Sequence, residues 1–414
     1  MPWVSRHATA LVIPSAPKQK MRSFLLAALL PAFAWALDPR CHQFYIGVSV
    51  NATNHAYGVT GIDDDINAVS FALDLSRWSV LSQTGPAPPA LPVAGTHRIH
   101  VQLCFNTNGV KKDTLQLLTH GLFADKQYWD IQEDPDKYSY VHAALNSGYG
   151  VLSYDRLGTG LSDKPDAYNV VQAPLQVEIL RTITAMAWDG TLQPCANQSS
   201  PWHGSSLPSK IAPFKRIVHV GHSFGSFLTS GLIGTYPQVS SAVILTGYIP
   251  NKELGVYPLA GYGLDYAPQN NPAKYSDRSS GYLVPGSISR FQTVFYHRYN
   301  ATDPSGFTDA LLQYGDSLKQ PATVGEFLST GAINLAFAPA FKGPLEFVVG
   351  EYDTLICDGD CKGTYSPEFL AAVYPNASSI DVLVQPGAGH ALNFHRNATA
   401  GYEVSLNWLA GHGL

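Results

Sequence analysis

Charged residues are scarce in this chain, and neither sign dominates. They make up 14% of the 414 residues, and the formal net charge is −5. Without a basic excess or a block of like charges, a nucleic-acid partner or an acidic interaction tail is not expected. Internal repeats and heptads are also missing, which excludes a solenoid or a coiled coil. The hydrophobic content of 45% is that of an ordinary globular protein.

Cofactor signatures are missing as well. The sequence has neither the glycine pattern that binds a pyrophosphate nor a cluster of residues with metal-ligand spacing. We therefore expect no cofactor and no bound metal.

One hydrophobic run is prominent, and it is too short for a comfortable membrane span. It lies within residues 21–36, follows Arg22, and ends in Ala34-Trp35-Ala36, which supplies the small residues that signal peptidase needs at −3 and −1. An uncleaved anchor and a first core helix are the alternatives, but the flanking residues favour cleavage near Ala36. We predict a secreted protein without stable membrane insertion. Because Met21 stands where such a peptide begins, residues 1–20 are an upstream extension or a misassigned start.

Five glycosylation sequons agree with secretion. Each has the form Asn-x-Ser/Thr, and they begin at Asn51, Asn197, Asn300, Asn376 and Asn397. A single sequon is common by chance, whereas five beside a signal peptide indicate a glycoprotein.

The five cysteines also fit an oxidising compartment. The close pair Cys357/Cys361 would close a small loop by a disulfide, and Cys41/Cys104 would tie the N-terminus to an early strand, which leaves Cys195 over. Metal binding is the alternative for the close pair, but Cys-x3-Cys without a second pair is a poor zinc site.

The most informative segment is a β-branched apolar run that ends in Gly221-His222-Ser223-Phe224-Gly225. This is the form of a nucleophile elbow, in which a strand turns sharply into a helix with a serine at the apex. The flanking sequence agrees, because residues 226–235 are typical of a helix and residues 242–246 of another buried strand. The alternative is a glycine-rich turn whose serine only caps the helix. We predict Ser223 as the nucleophile and the N–H of Phe224 as an oxyanion donor.

Two upstream segments would complete the surroundings of this serine. A strand ending in His120-Gly121-Leu122 predicts the N–H of Leu122 as the second oxyanion donor, with His120 itself a satisfied core histidine. Another strand delivers Asp155 and Arg156 to a glycine-rich loop. We interpret these two as a charged pair that holds the loop, because Asp155 precedes the nucleophile strand and is a poor candidate for a catalytic acid.

Together, the His-Gly turn, the segment Asp155–Asp163 and the elbow resemble the α/β-hydrolase fold superfamily, in particular alpha/beta hydrolase-1-like members of the secreted fungal type. The family triad follows the order Ser, then Asp or Glu, then His. This resemblance implies Asp353, after a late apolar strand, and His390, in a glycine-flanked turn after the last strand. Serine at the nucleophile position disfavours the dehalogenase and epoxide hydrolase branches.

Each of these two positions has a rival. Glu351 lies two residues before Asp353, so its side chain would face the same way along an extended segment. We prefer Asp353 because it lies further beyond the strand end. His395 lacks the preceding Gly-x-Gly of His390, and we interpret it as a surface residue.

The predicted fold class is α/β. We expect residues 37–414 to form a doubly wound, mostly parallel sheet of the eight-stranded type with helices on both faces, its antiparallel edge made by strands near Ile46–Val59 and His97–Phe105. Residues from about 249 to 342, inserted after the sixth strand, show no strand pattern and are rich in aromatics. They would form a helical cap over an apolar pocket, with helices at Ser287–Ala301 and Ser305–Lys319.

The expected function is a secreted serine esterase (EC 3.1) that cleaves a carboxylic ester or lactone of a hydrophobic small molecule through an acyl-enzyme. A biosynthetic enzyme that uses the same triad for cyclisation, acyl transfer or C–C cleavage is one alternative, to be distinguished by a product without net water addition. A non-catalytic binding protein on a hydrolase scaffold is another, which the intact Ser223, Asp353 and His390 argue against.

Overall fold

The computed structural model divides the chain into two units, Met1–Ala36 and Leu37–Leu414. It describes residues 38, 40–77, 87–105, 111–195, 211–250, 259–297, 302, 306–333 and 338–414. The first unit, with the predicted signal peptide and its cleavage site, lies outside the described residues, as do Asn197 and Asn300.

Eleven strands occur in the described residues. They are β1 (Cys41–His55), β2 (Ala90–Cys104), β3 (Lys111–Thr119), β4 (Tyr149–Tyr154), β5 (Arg216–His222), β6 (Ala242–Thr246), β7 (Leu264–Tyr266), β8 (Tyr282–Pro285), β9 (Ala322–Thr323), β10 (Leu345–Gly350) and β11 (Ile380–Gln385).

Helices fill most of the intervals between these strands. They are α1 (Asp65–Leu75), α2 (Pro135–Tyr138), α3 (Tyr140–Asn146), α4 (Ala173–Asp189), α5 (Phe224–Thr235), α6 (Ala267–Asn270), α7 (Pro272–Tyr275), α8 (Ile288–Phe295), α9 (Asp309–Leu318), α10 (Val324–Ser329), α11 (Thr354–Cys357), α12 (Pro367–Val373) and α13 (Ala398–Gly411). Short 3₁₀ turns cover Lys126–Tyr128, Pro237–Val239, Leu259–Tyr262, Thr330–Ala332 and Leu392–Phe394.

Eight strands form the main sheet, in the order β1-β2-β4-β3-β5-β6-β10-β11. β1 pairs with β2, and β2 with β4, in antiparallel fashion, whereas every other neighbouring pair is parallel. The predicted α/β class and the antiparallel edge are therefore confirmed. Because β3, β5, β6 and β10 are parallel, their carboxyl ends meet at one edge, where α/β sheets place their ligands.

The strand that carries the predicted nucleophile is buried on both faces, as a central parallel strand requires. Ile217 packs into one hydrophobic cluster together with residues of α4 and α5, whereas Val218 and Val220 pack into the cluster on the opposite face. The continuous apolar run in the sequence thus reflects a sheet covered by helices on each side.

The insertion between β6 and β10 is a cap that contains both helices and strands. β7, β8 and β9 form a small antiparallel sheet of three strands, so the expectation that this segment holds no sheet is wrong. Strands of two to four residues are too short to leave a periodic signal. The two predicted cap helices are present as α8 and α9, and both are shorter than predicted.

Both predicted cysteine pairs are bonded. Cys41 and Cys104 are directly paired across β1 and β2, and Cys357 is bonded to Cys361 at the end of α11. Cys195 is not bonded to another cysteine.

The described residues offer neither a metal cluster nor a membrane-spanning helix. No group of three or more His, Cys, Asp and Glu side chains there could hold a metal ion. No helix in the same part of the chain has both the length and the apolar character needed to cross a membrane.

Candidate active site

Ser223 lies at the junction between β5 and α5 in a strained backbone conformation. Its φ is 53° and its ψ is −121°, a region that side-chain-bearing residues rarely adopt. The strain turns the chain within one residue and places the serine at the carboxyl edge of the sheet. A serine that merely capped the helix would accept a hydrogen bond from a backbone N–H of the first helical turn. The Ser223 side chain accepts no such bond from α5.

Two glycines make this turn possible. A Cβ on Gly221 would lie 2.6 Å from the Cα of Ser226, and a Cβ on Gly225 would overlap the carbonyl oxygen of Thr119. No real Cβ comes so close to backbone atoms. Both glycines of the Gly-x-Ser-x-Gly motif are therefore required by contact.

Three side chains from distant parts of the chain form one hydrogen-bonded series. The Ser223 hydroxyl donates to Nε2 of His390 at 2.7 Å, and Nδ1–H of His390 donates to Oδ2 of Asp353 at 2.7 Å. His390 and Asp353 have no exposed surface. The bond from Nδ1 to the carboxylate fixes the tautomer in which Nε2 is free to accept a proton.

Asp353 is held by the segment that follows it. Its Oδ1 accepts from the backbone N–H groups of Leu355 and Ile356, so the carboxylate also caps α11. The N–H groups of Cys357 and Gly359 donate to its carbonyl oxygen. The Cys357–Cys361 disulfide thus closes the loop that orients this acid.

The rival acid points elsewhere. Glu351 accepts from Gly387 N–H at 2.9 Å and forms an ion pair with Lys362. These contacts hold the turn after β11, and the structure brings Asp353, not Glu351, to the histidine. The side chains diverge because β10 ends at Gly350, beyond which the alternation of an extended strand no longer applies.

The expectation that His395 is a surface residue is wrong. Its side chain has no exposed surface. Its Nε2 accepts from Gly389 N–H and its Nδ1–H donates to the carbonyl of Ala391, both at 2.9 Å. His395 therefore holds the backbone on each side of His390. The Gly-x-Gly criterion separated the two histidines correctly, but it carries no signal of burial.

The two predicted oxyanion donors, the N–H groups of Leu122 and Phe224, are free to donate. Within the described residues, neither Leu122 N–H nor Phe224 N–H meets an acceptor. The turn that carries Leu122 lies against the nucleophile, because a Cβ on Gly121 would be only 2.9 Å from Cβ of Ser223. The structure thus brings both predicted donors to the serine.

His120 is the satisfied core histidine that the sequence predicts. Its Nδ1–H donates to the Gly121 carbonyl at 2.8 Å, and its Nε2 accepts from Arg156 N–H at 3.0 Å. Burial, followed by the charge of Arg156, lowers the pKa of His120 well below its ordinary value.

The interpretation of Asp155 and Arg156 as a mutual charged pair is wrong. The Asp155 carboxylate lies 3.0 Å from Nζ of Lys126, and Arg156 is paired with Glu326 of α10. Burial by itself would raise the pKa of Asp155, but Lys126 and His100 outweigh burial and hold it well below its usual range. Sequence reasoning missed Glu326, since nothing local links a cap glutamate to residue 156.

A second histidine lies beside the triad and stays neutral. The ring of His222 is 4.9 Å from that of His390 and stacks on Tyr128 at 4.3 Å. Burial, and then the nearby His390 and His120, lower the pKa of His222 well below its ordinary value. An imidazolium formed on His390 would therefore face no second cation there.

A small apolar cavity lies between the cap helices and the turn His120–Phe123, which is called the oxyanion turn below. Its walls are mostly aromatic and aliphatic, and they include residues adjacent to Ser223 and His390. The lining consists of Leu122, Phe123, Ala124, Asp125, Tyr128, His222, Phe291, Phe295, Gly315, Leu318, Lys319, Ala391 and Phe394.

The fold and this arrangement define a class, an α/β protein with an elbow serine, an acid and a histidine in that chain order. The profile of the alpha/beta hydrolase family matches residues 116–401, more than half of the sequence, and the chain belongs to that family. No curated protein sequence matches it.

Among solved structures the chain is similar to several α/β proteins at low identity. With a thermophilic esterase from Thermogutta terrifontis it shares 15% identity at a TM-score of 0.48, covering 77% of this chain and 94% of that chain. With the enol-lactonase from Burkholderia xenovorans LB400 it shares 15% identity at a TM-score of 0.47, covering 76% of this chain and 97% of that chain. With a bromoperoxidase from Bacillus anthracis it shares 16% identity at a TM-score of 0.47, covering 76% of this chain and 95% of that chain.

Proposed function

We propose that this member of the alpha/beta hydrolase family is a secreted serine esterase. Its substrate would be a carboxylic ester or lactone of a hydrophobic small molecule. The observation that carries the proposal is the unbroken series from Ser223 through His390 to Asp353, with both links at 2.7 Å and the serine on a strained elbow.

In this proposal His390 Nε2 takes the proton of Ser223 as Oγ attacks the ester carbonyl. The carbonyl oxygen becomes an oxyanion between the N–H groups of Leu122 and Phe224. Asp353 stabilises the imidazolium, which then gives its proton to the leaving alcohol. Water, activated by the same histidine, releases the acid and restores the serine.

The aromatic cavity supports the choice of a hydrophobic substrate. Phe123, Phe291, Phe295 and Phe394 line the cavity beside the oxyanion turn, and such aromatic walls favour an apolar group of the substrate. Such walls exclude water from the reacting carbonyl and strengthen the hydrogen bonds to the oxyanion.

The test treats the secreted protein with a fluorophosphonate and locates the adduct by mass spectrometry, beside Ser223→Ala and His390→Ala. We expect a single adduct on Ser223, absent in the first variant and slowed at least 10³-fold in the second. A screen of p-nitrophenyl esters and lactones in ¹⁸O-labelled water follows. One labelled oxygen in the acid product indicates hydrolysis, and its absence indicates cyclisation or acyl transfer.

A matched pair of acid variants tests the assignment of the triad. Asp353→Asn would keep the shape but favour the wrong histidine tautomer, and we expect kcat to fall about 10³- to 10⁴-fold. Glu351→Gln changes an acid two residues away that does not contact His390, and kcat should stay within about fivefold. Equal losses in both variants would contradict the assignment.

A further inference from the structure

Arg156 is a buried cation with an unusual set of acceptors. Only 1% of it is exposed. Its Nε donates to the carbonyl of His120 at 3.0 Å and its Nη2 to the carbonyl of Gly121 at 3.1 Å. Two of its five donors are thus used on successive carbonyls of the oxyanion turn.

The second of these carbonyls belongs to a peptide that the proposed reaction uses. The Gly121 carbonyl and the Leu122 N–H are the two ends of one planar amide, and in a trans peptide they point in opposite directions. By holding the carbonyl on one side, Arg156 directs the N–H to the other. The turn itself lies against the nucleophile, since a Cβ on Gly121 would be 2.9 Å from Cβ of Ser223. The His120 ring donates to the same carbonyl at 2.8 Å, so this amide is polarised by two donors.

The same guanidinium also contacts the other oxyanion residue. Its carbon lies 4.8 Å from the centre of the Phe224 ring, within the range of a cation–π contact. Arg156 therefore contacts the Gly121 end of one donor amide and the side chain of the other donor residue, Phe224, although it does not reach the reacting atoms itself.

The counter-charge of Arg156 comes from the cap. Nη1 is paired with Oε1 of Glu326, which is fully buried, and also donates to Gln176 at 2.6 Å. The other oxygen of Glu326 accepts from Thr323 N–H at 2.9 Å and completes a capping box on α10. The oxyanion turn is thereby tied to a fixed element of the cap.

We propose that Arg156 is a positioning residue for the oxyanion hole. It orients and polarises the Gly121–Leu122 amide and holds Phe224, and Glu326 of the cap keeps it in place. The inference rests on the proposed function. It predicts that loss of Arg156 weakens binding of the oxyanion more than binding of the ground state.

The experiment compares Arg156→Met with Arg278→Met, which removes another buried arginine. Arg278 lies over the ring of Tyr282 and is paired with Asp277 in the cap. The readouts are the maximal rate of phosphonylation of Ser223 by a fluorophosphonate, the inhibitor concentration for half-maximal rate, and the affinity for 2-phenylethylboronic acid. For Arg156→Met we expect the rate and the boronate affinity to fall about 10- to 100-fold, less than for loss of a donor itself, with half-saturation nearly unchanged. Arg278→Met should leave all three unchanged.

Two further variants separate positioning from folding. Arg156→Lys keeps the positive charge but not the planar guanidinium with its several donors. Its rate of phosphonylation should lie between those of Arg156→Met and wild type. If Arg156→Met does not fold, the double variant Arg156→Met/Glu326→Gln removes both buried charges and should fold with the same loss of rate. Rates are referred to the folded fraction, since a purely structural role would reduce only that fraction.

The possible failures differ. A wild-type protein that the fluorophosphonate does not label overturns the proposed function and this inference together. A labelled wild type, with the Arg156 variants equal to Arg278→Met, overturns the inference alone and leaves the proposed function standing.

Discussion

At the scale of single residues, one buried acid lies far from the site and takes no part in the proposed chemistry. Glu346 is on β10 with 2% of its surface exposed. Burial, opposed by a hydrogen bond with Ser405 and assisted by Asp381, raises the pKa of Glu346 to about 7. The folded protein therefore holds a proton there that the unfolded chain releases near its ordinary pKa of 4.5.

This difference predicts a pH-dependent stability. Because the folded pKa is raised, the contribution of Glu346 is complete below about pH 4.5 and is lost as the pH rises through about 7. Between pH 5 and pH 8 the free energy of unfolding should fall by about 2 kcal/mol from this group. In urea titrations, the free energy of unfolding of Glu346→Gln should no longer show this fall between pH 5 and pH 8. Glu368 is exposed, and Glu368→Gln should show the same fall as wild type. Parallel pH profiles for Glu346→Gln and wild type would contradict the assignment.

At the scale of elements, the two disulfides have different roles, one in the stability of the fold and one in the position of the catalytic acid. Cys41–Cys104 joins residues 63 apart at the antiparallel edge of the sheet, and Cys357–Cys361 joins residues 4 apart around the acid loop. A long closed loop restricts the unfolded chain more than a short one. The first bond therefore acts mainly on stability, and the second on the position of Asp353.

Replacing each pair by serine should separate these effects. We expect Cys41→Ser/Cys104→Ser to lower the free energy of unfolding by about 4 kcal/mol, and Cys357→Ser/Cys361→Ser by about 2 kcal/mol. The order of the losses in kcat should be the reverse, with about tenfold or more lost only in the second variant, because a small shift of the acid misaligns His390. Denaturant titration measures the free energy of unfolding, and ester kinetics on the folded protein measure kcat. If one double variant showed the larger loss in both quantities, the two disulfides would not have these separate roles.

The elements also show where sequence reasoning succeeds. The sequence predicts the strand at residues 242–246 with the bounds that β6 has. The elbow is recognisable because its serine and two glycines lie within five residues, although the contact that requires Gly225 is with distant Thr119. The short cap strands, the burial of His395 and the pairing of Arg156 with Glu326 could not be predicted. Each depends on contacts between segments that are far apart in sequence or too short to show a period.

At the scale of the whole molecule, the prediction of secretion rests on the segment before Leu37 and on sequons in the rest of the chain. Asn51 on β1 and Asn376 after α12 are exposed, and the amide of Asn376 donates to the carbonyl of Pro339. Asn397 is partly buried, and its amide donates to the carbonyl of Pro386. Glycans at the first two positions would meet little obstruction.

Expression in a eukaryotic secretory host tests this expectation. We expect the secreted protein to begin at Leu37, and glycans at Asn51 and Asn376 that a glycosidase removes. N-terminal sequencing and glycopeptide mass spectrometry give both results, with Asn51→Gln and Asn376→Gln each losing one glycan. A protein that stays in the cell with residues 1–36 attached would refute the prediction of secretion.

The hydrogen bonds between residues 320–325 of the cap and the core bear on how members of this family can be recombined. Gln320 N–H donates to Phe123, the Thr323 hydroxyl to the Val171 carbonyl, and Gly325 N–H to Ala167. A chimera whose cap, up to the start of β10, came from a relative without an acid in place of Glu326 would leave Arg156 without its counter-ion. The exchangeable part of the cap therefore ends near Leu318, and the segment from there to the end of α10 belongs with the recipient.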